Sequence, residues 1–228
     1  MTIDKSKIRN AATVIVLRDR HVTPHILMGQ RGAKAAFMPN KFVFPGGAVD
    51  PTDAEVTLSN TAQNACMERL KVQSDPSLGP SLLAAAIREM WEETGQRIGQ
   101  CSDKAPEMAH TQPDNWQSFF LSGCLPDPTG LEFIFRAITP PGRPRRFDAR
   151  FFLGRAELIQ DDPDDFGRAQ DELSHLQWIP LAKSRDFDLP FITEVVLAEV
   201  QNRLNQPDEE HPVPFFSHDG ERSQFLKL

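Results

Sequence analysis

Short runs of apolar residues recur along the chain, and stretches rich in proline, glycine or charged residues separate them. Such runs are typical of β-strands when turn-forming residues bound them. The strands that they predict cover residues 11–17, 25–29, 41–44, 131–138, 149–158 and 176–179. Apolar residues at helical spacing predict helices over residues 53–72, 82–94, 115–121 and 191–204. Strands, a helix, further strands and a last helix together predict an α/β fold.

Capping residues and turns indicate where these elements begin and end. Ser81 is predicted to cap the second helix, and Gly95 to follow its last turn. Residues 101–130 are predicted to be rich in loops, and a polar tail is expected from about residue 206. No internal repeat or linker divides the sequence, so residues 1–228 are interpreted as a single domain.

Composition and charge narrow the classes of function. The chain has 228 residues and a formal net charge of −7, which argues against a general nucleic-acid or anionic-membrane binder. No run approaches ~18 consecutive apolar residues, and the N-terminus lacks the order of a signal peptide. A cytoplasmic protein is therefore expected. The three cysteines are widely spaced and odd in number, which favours reduced thiols over a disulfide framework or a zinc site.

The strongest chemical signal comes from three carboxylates in the second helix. Glu89, Glu92 and Glu93 stand at positions i, i+3 and i+4, so they project from one side of the helix. Carboxylates at this spacing repel each other, and hard divalent cations such as Mg²⁺ or Mn²⁺ relieve that repulsion. The alternative interpretation is a solvated acidic face on which Arg88 pairs with Glu92.

This helix and an upstream glycine pair resemble the signature of the Nudix hydrolase family. The Nudix box has the pattern G-x5-E-x7-R-E-U-x-E-E-x-G-U, where U is a bulky apolar residue. Residues 88–95, which read REMWEETG, match its central part without a gap, and Gly47 matches its first glycine. Gln96 takes the place of the final apolar residue.

The first carboxylate of the box is where the sequence departs from the family pattern. Asp53 stands where the family has Glu, with Glu55 as the alternative. An insertion at about residues 54–81 then interrupts the box before Arg88. Because loop closure costs only about 0.6 kcal/mol per doubling of length, both ends of the box are expected to stay packed together.

The resemblance implies a Nudix α/β/α sandwich with a mixed sheet, and an enzyme that hydrolyses a diphosphate with a metal ion. It implies that Mg²⁺ or Mn²⁺ is held by three carboxylates, those of Glu89, Glu92 and Glu93. Arg88 is implied to orient a carboxylate, most simply that of Glu92. The general base is then either Glu89, or Asp171 or Glu172 in the acidic loop over residues 161–172. Glu172 is favoured because it precedes Trp178 by six residues.

Further residues are candidates for contacts with the substrate. Gly46 and Gly47 are implied to shape the turn and allow close approach to the site, and Arg31 and Arg146 are candidates for binding phosphate. Arg146 belongs to a basic turn at residues 143–150, whose arginines are alternatively surface residues that pair with the acidic loop. The aromatic residues at positions 116, 119 and 120 are interpreted as core.

The resemblance extends to a branch of the family that includes coenzyme A diphosphatases, because residues 37–47, the insertion and residues 138–153 look similar to it. The substrate expected first is therefore a small nucleoside diphosphate derivative such as coenzyme A or an acyl-coenzyme A. The alternatives are ADP-ribose, a dinucleotide such as NADH, or a catalytically silent domain that senses a nucleotide. A homodimer is compatible with the sequence.

Overall fold

A computed structural model describes residues 7–35, 37–207, 209–218 and 222–228, and a mixed nine-stranded sheet forms the centre of this part of the chain. The strands of this sheet are β1 (Ile8–Arg18), β2 (His25–Arg31), β3 (Phe42–Val43), β4 (Gly46–Ala48), β7 (Glu132–Ile138), β8 (Arg146–Arg155), β9 (Leu173–Pro180), β10 (Pro214–His218) and β11 (Ser223–Lys227). A separate hairpin consists of β5 (Gly99–Cys101) and β6 (Cys124–Pro126). The helices are α1 (Asn64–Lys71), α2 (Gly79–Thr94), α3 (Ala105–Met108), α4 (Asp114–Leu121) and α5 (Phe191–Asn205).

The order of the strands places β1 at the centre of the sheet. The order is β11-β10-β7-β8-β1-β2-β3, and in addition β4 pairs with β1 and β9 pairs with β2. The β1–β8 and β10–β7 pairs are parallel, whereas the other pairs are antiparallel. Because β4 pairs with residues Ala11 to Thr13, the glycine pair lies against the middle of the sheet.

The side chains of β1 alternate between the two faces of the sheet, as expected for a buried strand. Ala12, Val14 and Val16 pack into a cluster that also contains the apolar residues of α2 and α4. Ile15 and Leu17 pack on the other face, with residues of α5. Helices therefore cover both faces, and the α/β/α sandwich expected from the sequence is confirmed.

The helix predicted over residues 53–72 is wrong for most of that range. The chain forms a 3₁₀ turn at Pro51–Ala54 and becomes α-helical only at α1. Between them, Ser59 donates hydrogen bonds from both its backbone N–H and its hydroxyl to the carbonyl oxygen of Pro126. These contacts with β6 explain why the backbone leaves the helical path here.

The N-cap predicted for the second helix is also wrong. Helix α2 begins at Gly79, with Leu78 at the N-cap, and Ser81 lies inside its first turn. Pro80 explains the earlier start, because its fixed φ angle and missing N–H suit the first helical turn. The predicted end is confirmed, since Gly95 follows the helix with φ of +71° and donates its N–H to the carbonyl oxygen of Trp91.

The insertion packs against the sheet through its helix and the turn that follows. Helix α1 buries Cys66 and Leu70 in the cluster on the α2 side. Arg136 of β7 donates to the carbonyl oxygens of Val72 (3.2 Å) and Gln73 (3.1 Å). The insertion therefore covers one face of the sheet, while the residues on either side of it remain close together.

Part of the polar tail expected from residue 206 joins the sheet as β10 and β11. Val213 and Phe215 are buried, and β10 extends the sheet by pairing with β7. The burial of these two apolar side chains explains why this segment joins the sheet. Across the described ranges, none of the helices has both the length and the apolar character that a membrane span requires.

Candidate active site

Helix α2 carries the candidate catalytic residues from the interior of the protein. Its apolar residues from Leu82 to Ile87, together with Met90, are fully buried and fix the helix against the sheet. Glu89 and Glu93 are also buried, with 8% and 2% of their surface exposed, whereas Glu92 is only partly covered. The alternative interpretation as a solvated acidic face is therefore wrong, because two of the three carboxylates are removed from water.

The glycine pair makes room for these two carboxylates. The backbone N–H of Gly46 donates to Glu93 Oε2 at 2.8 Å. A Cβ atom on Gly46 would lie 2.6 Å from the carbonyl oxygen of Ala12, and one on Gly47 would overlap the carboxylate of Glu89. Only glycine allows β4 to fit between β1 and α2, and this close approach brings the two halves of the interrupted box into contact.

We expect Gly47→Ala to reduce turnover about 100-fold, because the added Cβ would displace the carboxylate of Glu89, a candidate catalytic residue, and a displacement of about 1 Å has an effect of this size at a catalytic group. Gly32→Ala is the matched control, since a Cβ there meets no atom within 4 Å. Turnover and the unfolding temperature are measured for both variants. Equal turnover in both would show that Glu89 tolerates displacement.

Arg88 is the centre of the hydrogen-bond network beneath the carboxylates. Its Nη1 donates to Glu89 Oε1 and Glu92 Oε2, each at 2.9 Å. Its Nε and Nη2 donate to the two carboxylate oxygens of Asp53 at 2.9 and 3.0 Å, and Nη2 also donates to the carbonyl oxygen of Ala48. Arg88 thus orients Glu92, as expected, but also Glu89, and its bidentate partner is Asp53.

Asp53, the candidate for the first carboxylate of the box, is the bidentate partner of Arg88, although it is one methylene shorter than Glu. Its side chain is fully buried, and besides Arg88 it accepts hydrogen bonds from Trp116 Nε1 (3.1 Å) and the backbone N–H of Asp50 (2.8 Å). Glu55 is exposed on the same loop. The spacing in the box was the signal that identified Asp53.

Trp116 is the residue that sequence reasoning missed as part of this network. It is fully buried among aromatic residues of α4, as the interpretation as core requires, but its indole N–H is turned toward Asp53. Nothing in the sequence links position 116 to the box, because the contact exists only after α4 packs beside α2.

Burial raises the pKa values of all three glutamates in α2. For Glu89 the pKa rises to about 7, mainly through burial and also through the charge of Glu92, while Arg88 acts in the opposite direction. The pKa of Glu93 lies well above its usual value, because burial and the charge of Glu89 outweigh the hydrogen bond from Gly46. The pair is thus electrostatically strained when both groups are ionised.

Arg31 and Glu172 meet at the edge of this acidic cluster. Arg31 Nη2 donates to Glu172 Oε1 at 2.6 Å. The charge of Glu172 acts on both Glu89 and Glu93, and that of Arg31 acts on Glu93. The structure therefore brings these two predicted site residues together with the carboxylates of α2.

Ion pairs and hydrogen bonds attach the acidic loop over residues 161–172 to the end of α2 and to the residues that follow it. Asp161 is held by Arg97 and Arg168, and the Gln170 N–H donates to the Glu92 carbonyl oxygen at 3.0 Å. Gln96 donates from its side-chain amide to the carbonyl oxygens of Asp162 and Asp165. Gln96, which departs from the family's apolar residue, therefore anchors the loop that leads to Glu172.

The basic turn does not meet the acidic loop in the described contacts, and that alternative is wrong. Arg146 Nε donates to the carbonyl oxygen of Thr139. Arg150 is buried, donates to the side chains of Asn10 and Ser74, and shares the Asp148 carboxylate with Arg136. The contacts of Arg146 that the structure shows are local to the β7–β8 connection and do not include the carboxylates of α2.

The carboxylate oxygens of this site are ligands that fit a hard divalent cation. Glu93 Oε1 is buried and has no hydrogen-bond partner among the described residues, and Glu89 and Glu93 repel each other. Within the described ranges, no three histidine, cysteine, aspartate or glutamate side chains are already gathered closely enough to hold a metal ion. Arg88 explains why Glu89 and Glu92 are not gathered in this way. Each of these carboxylates uses one oxygen to accept a hydrogen bond from Arg88, so its other oxygen is the one that would bind a metal ion.

The family model of the NUDIX domain matches residues 7–200. The Caenorhabditis elegans protein named "Putative nudix hydrolase 7" is 34% identical over 179 residues, which cover 75% of this chain and 51% of that protein. The chain thus spans about half the length of this relative. The crystal structure of a NUDIX hydrolase from Alicyclobacillus acidocaldarius matches with a TM-score of 0.60 and 25% identity, over 87% of this chain and 96% of that one.

Proposed function

This chain belongs to the NUDIX domain family, and we propose that it hydrolyses the diphosphate bond of a nucleoside diphosphate derivative with Mg²⁺ or Mn²⁺ held on α2. The observation that carries the proposal is the buried pair Glu89 and Glu93 beside the Gly46–Gly47 turn, where Oε1 of Glu93 has no hydrogen-bond partner in the described part of the chain. A structural helix gains nothing from two buried carboxylates that repel each other, because burying charge is costly and Arg88 pairs with Glu89 but not with Glu93 in the described contacts.

The carboxylate oxygens of Glu89, Glu92 and Glu93 would hold the ion. A bound divalent ion in such a site neutralises phosphoryl oxygens and makes water a better nucleophile. Arg88 fixes the orientation of Glu89 and Glu92 and keeps one oxygen of each engaged. The glycine turn leaves space for the substrate to approach the carboxylates, since a side chain there would collide with Glu89.

Arg31, the last residue of β2, and Glu172, which directly precedes β9, complete the proposed site. Arg31 offers a guanidinium group to the phosphates, and its Nε is buried without a hydrogen-bond partner among the described residues. Glu172 accepts the proton of the attacking water. The oxygen of that water bonds to one phosphorus, the bond between that phosphorus and the bridging oxygen breaks, and two phosphate monoesters leave.

We propose coenzyme A or an acyl-coenzyme A as the substrate, with ADP-ribose or a dinucleotide of the NADH type as the alternative. The support for coenzyme A is the sequence resemblance of the glycine segment, the insertion and residues 138–153. A release assay over these diphosphates, with separation of the two products of each, tests the choice. Cleavage of ADP-ribose but not of coenzyme A would favour the alternative, and cleavage of none would contradict the proposed function.

We expect chelation to abolish turnover and Mg²⁺ or Mn²⁺ to restore it better than Zn²⁺, because the candidate ligands are all oxygens. The unfolding temperature gives a second readout, since an ion that binds only the folded protein stabilises it. Addition of Mn²⁺ to the chelated protein should raise that temperature by several degrees. Full turnover in excess chelator would contradict the metal mechanism.

We expect Glu172→Gln to lower kcat about 100-fold and to change the dissociation constant for Mn²⁺ less than twofold. The amide cannot accept the proton of water, and general-base assistance contributes about 10²–10⁴-fold. Asp171→Asn is the matched control, because it removes the neighbouring exposed carboxylate. Turnover of Glu172→Gln near that of the control would return the role of base to Glu89.

A further inference from the structure

Two of the three cysteines face each other across the hairpin formed by β5 and β6. Cys101 and Cys124 are directly opposite in its antiparallel register. The next pair outward, Ser102 and Gly123, is joined by a hydrogen bond from the Ser102 N–H to the Gly123 carbonyl oxygen at 3.0 Å. Because hydrogen-bonded and non-hydrogen-bonded pairs alternate along such a ladder, Cys101 and Cys124 form a non-hydrogen-bonded pair.

This type of pair has the spacing that a disulfide requires. Its Cα atoms are about 4.5 Å apart, and disulfides join cysteines whose Cα atoms are about 4.4–6.8 Å apart. The sulfur of Cys124 lies 2.7 Å from the position that a Cβ on Gly99 would take. Gly99 and Cys101 are two residues apart on one strand and share a face, so both thiols lie on the same face of the hairpin.

The surroundings of the two thiols differ in a way that suits stepwise oxidation. Cys101 is exposed, and its Sγ contacts Gln160 Oε1 at 3.5 Å, so a solvent-borne oxidant can reach it. Cys124 is buried, and burial raises the pKa of its thiol to about 12, with Arg97 acting in the opposite direction. Cys101 is thus the group that reacts first, and attack by Cys124 is the slower step.

We propose that Cys101 and Cys124 are a modification site at which a peroxide closes a reversible cross-strand disulfide. The Cys101 thiolate attacks one oxygen of hydrogen peroxide, the O–O bond breaks, and hydroxide leaves a sulfenic acid on Cys101. The Cys124 thiolate then attacks the Cys101 sulfur, and its S–O bond breaks as a second hydroxide leaves. The protons of the two thiols convert both hydroxides to water, so two thiols are oxidised and one peroxide is reduced.

The bond would close residues 102–123, which contain α3 and α4, into a covalent loop. This loop holds Trp116, whose indole binds Asp53 beneath the carboxylates of α2. A disulfide of this kind restricts the unfolded chain, and a typical gain would raise the unfolding temperature of a protein of this size by about 5–10 °C. The expected consequence is a more stable hairpin and α4 under oxidising conditions.

Treatment of the reduced protein with hydrogen peroxide, followed by intact-mass measurement and thiol titration in denaturant, tests the proposal. The mass should fall by two hydrogen atoms, and the free thiols should fall from three to one. Trypsin separates Cys101 in residues 98–104 from Cys124 in residues 105–136, so the disulfide should join two peptides that dithiothreitol releases. A sulfenic-acid trap added with the peroxide should label Cys101 and prevent the joining.

The matched control is Cys66→Ser, because Cys66 is buried in α1 and lies outside the hairpin. This variant should oxidise like the wild-type protein. Cys101→Ser should keep its two remaining thiols, whereas Cys124→Ser should form a sulfenic acid on Cys101 but no disulfide within the chain. Peptide mapping of the wild-type protein needs no variant, so a Cys124→Ser protein that fails to fold leaves the test intact. A gain of two or three oxygen atoms on Cys101 with a free Cys124 thiol, or a disulfide between two chains, would overturn the proposal.

Discussion

Replacement of Glu93 by glutamine should reduce turnover at least 100-fold while the fold is retained. The side-chain oxygen of glutamine can still accept the hydrogen bond from the Gly46 N–H, and the shape of the side chain hardly changes. What is lost is the negative charge at the buried oxygen that lacks a partner among the described residues. An amide oxygen is a much weaker ligand for a hard cation than a carboxylate, so the loss should appear in both kcat and the affinity for Mn²⁺.

The same substitution should raise the stability of the metal-free protein. The pKa of Glu93 is raised in the folded state, so the folded protein binds this proton more tightly than the unfolded chain does. Ionisation of Glu93 therefore costs stability as the pH rises above the unfolded pKa of about 4.3. Glutamine carries no charge at any pH. The unfolding temperature of Glu93→Gln in chelator should exceed that of the wild type by several degrees at pH 8, and the difference should disappear near pH 4.

Glu68→Gln is the control for these measurements, because it removes an exposed carboxylate in α1 that pairs only with Lys71 in the described contacts. Its turnover and unfolding temperature should match those of the wild type. Unchanged turnover in Glu93→Gln would show that the carboxylates of α2 do not hold the catalytic ion. Lower stability of Glu93→Gln at pH 8 would show instead that the ionised Glu93 carboxylate has favourable interactions beyond the hydrogen bond from the Gly46 N–H.

The sequence was most informative where spacing alone determines which side chains meet. The spacing of the three carboxylates predicted that they share one side of a helix. The glycine pair predicted the turn beside them, and Gly95 predicted where the helix ends. The same spacing could not show that Glu89 and Glu93 are buried, because their burial depends on β4, which lies across a long insertion in the sequence. Trp116 is a clearer example, since its contact with Asp53 depends on how α4 packs beside α2.

The errors in the fold arose where tertiary contacts override local preference. Ser81 is a good cap by itself, but Pro80 starts the helix earlier. Residues 53–72 contain enough apolar residues for a helix, yet the hydrogen bonds from Ser59 to the carbonyl oxygen of Pro126 hold part of the segment outside the helix. The tail is polar by composition, but Val213 and Phe215 are buried and β10 pairs with β7.

Replacement of Asp53 by asparagine should destabilise the protein by about 3 kcal/mol, the lower end of the cost of breaking a buried ion pair. The Asp53 carboxylate accepts hydrogen bonds from Arg88, Trp116 and the Asp50 N–H. An amide has only one acceptor oxygen, so its NH₂ group would face a donor and leave part of Arg88 unsatisfied. For a protein of this size, the unfolding temperature should fall by about 10 °C.

Turnover of Asp53→Asn, measured well below its unfolding temperature, should fall as well, because Arg88 would no longer be held where it orients Glu89 and Glu92. Glu55→Gln is the control that distinguishes the two candidates for the first carboxylate of the box. Glu55 is exposed, so its loss should change stability by less than about 0.5 kcal/mol and leave turnover unaffected. If Glu55→Gln were the damaging variant and Asp53→Asn the neutral one, the bidentate pair with Arg88 would not be what supports the carboxylates of α2.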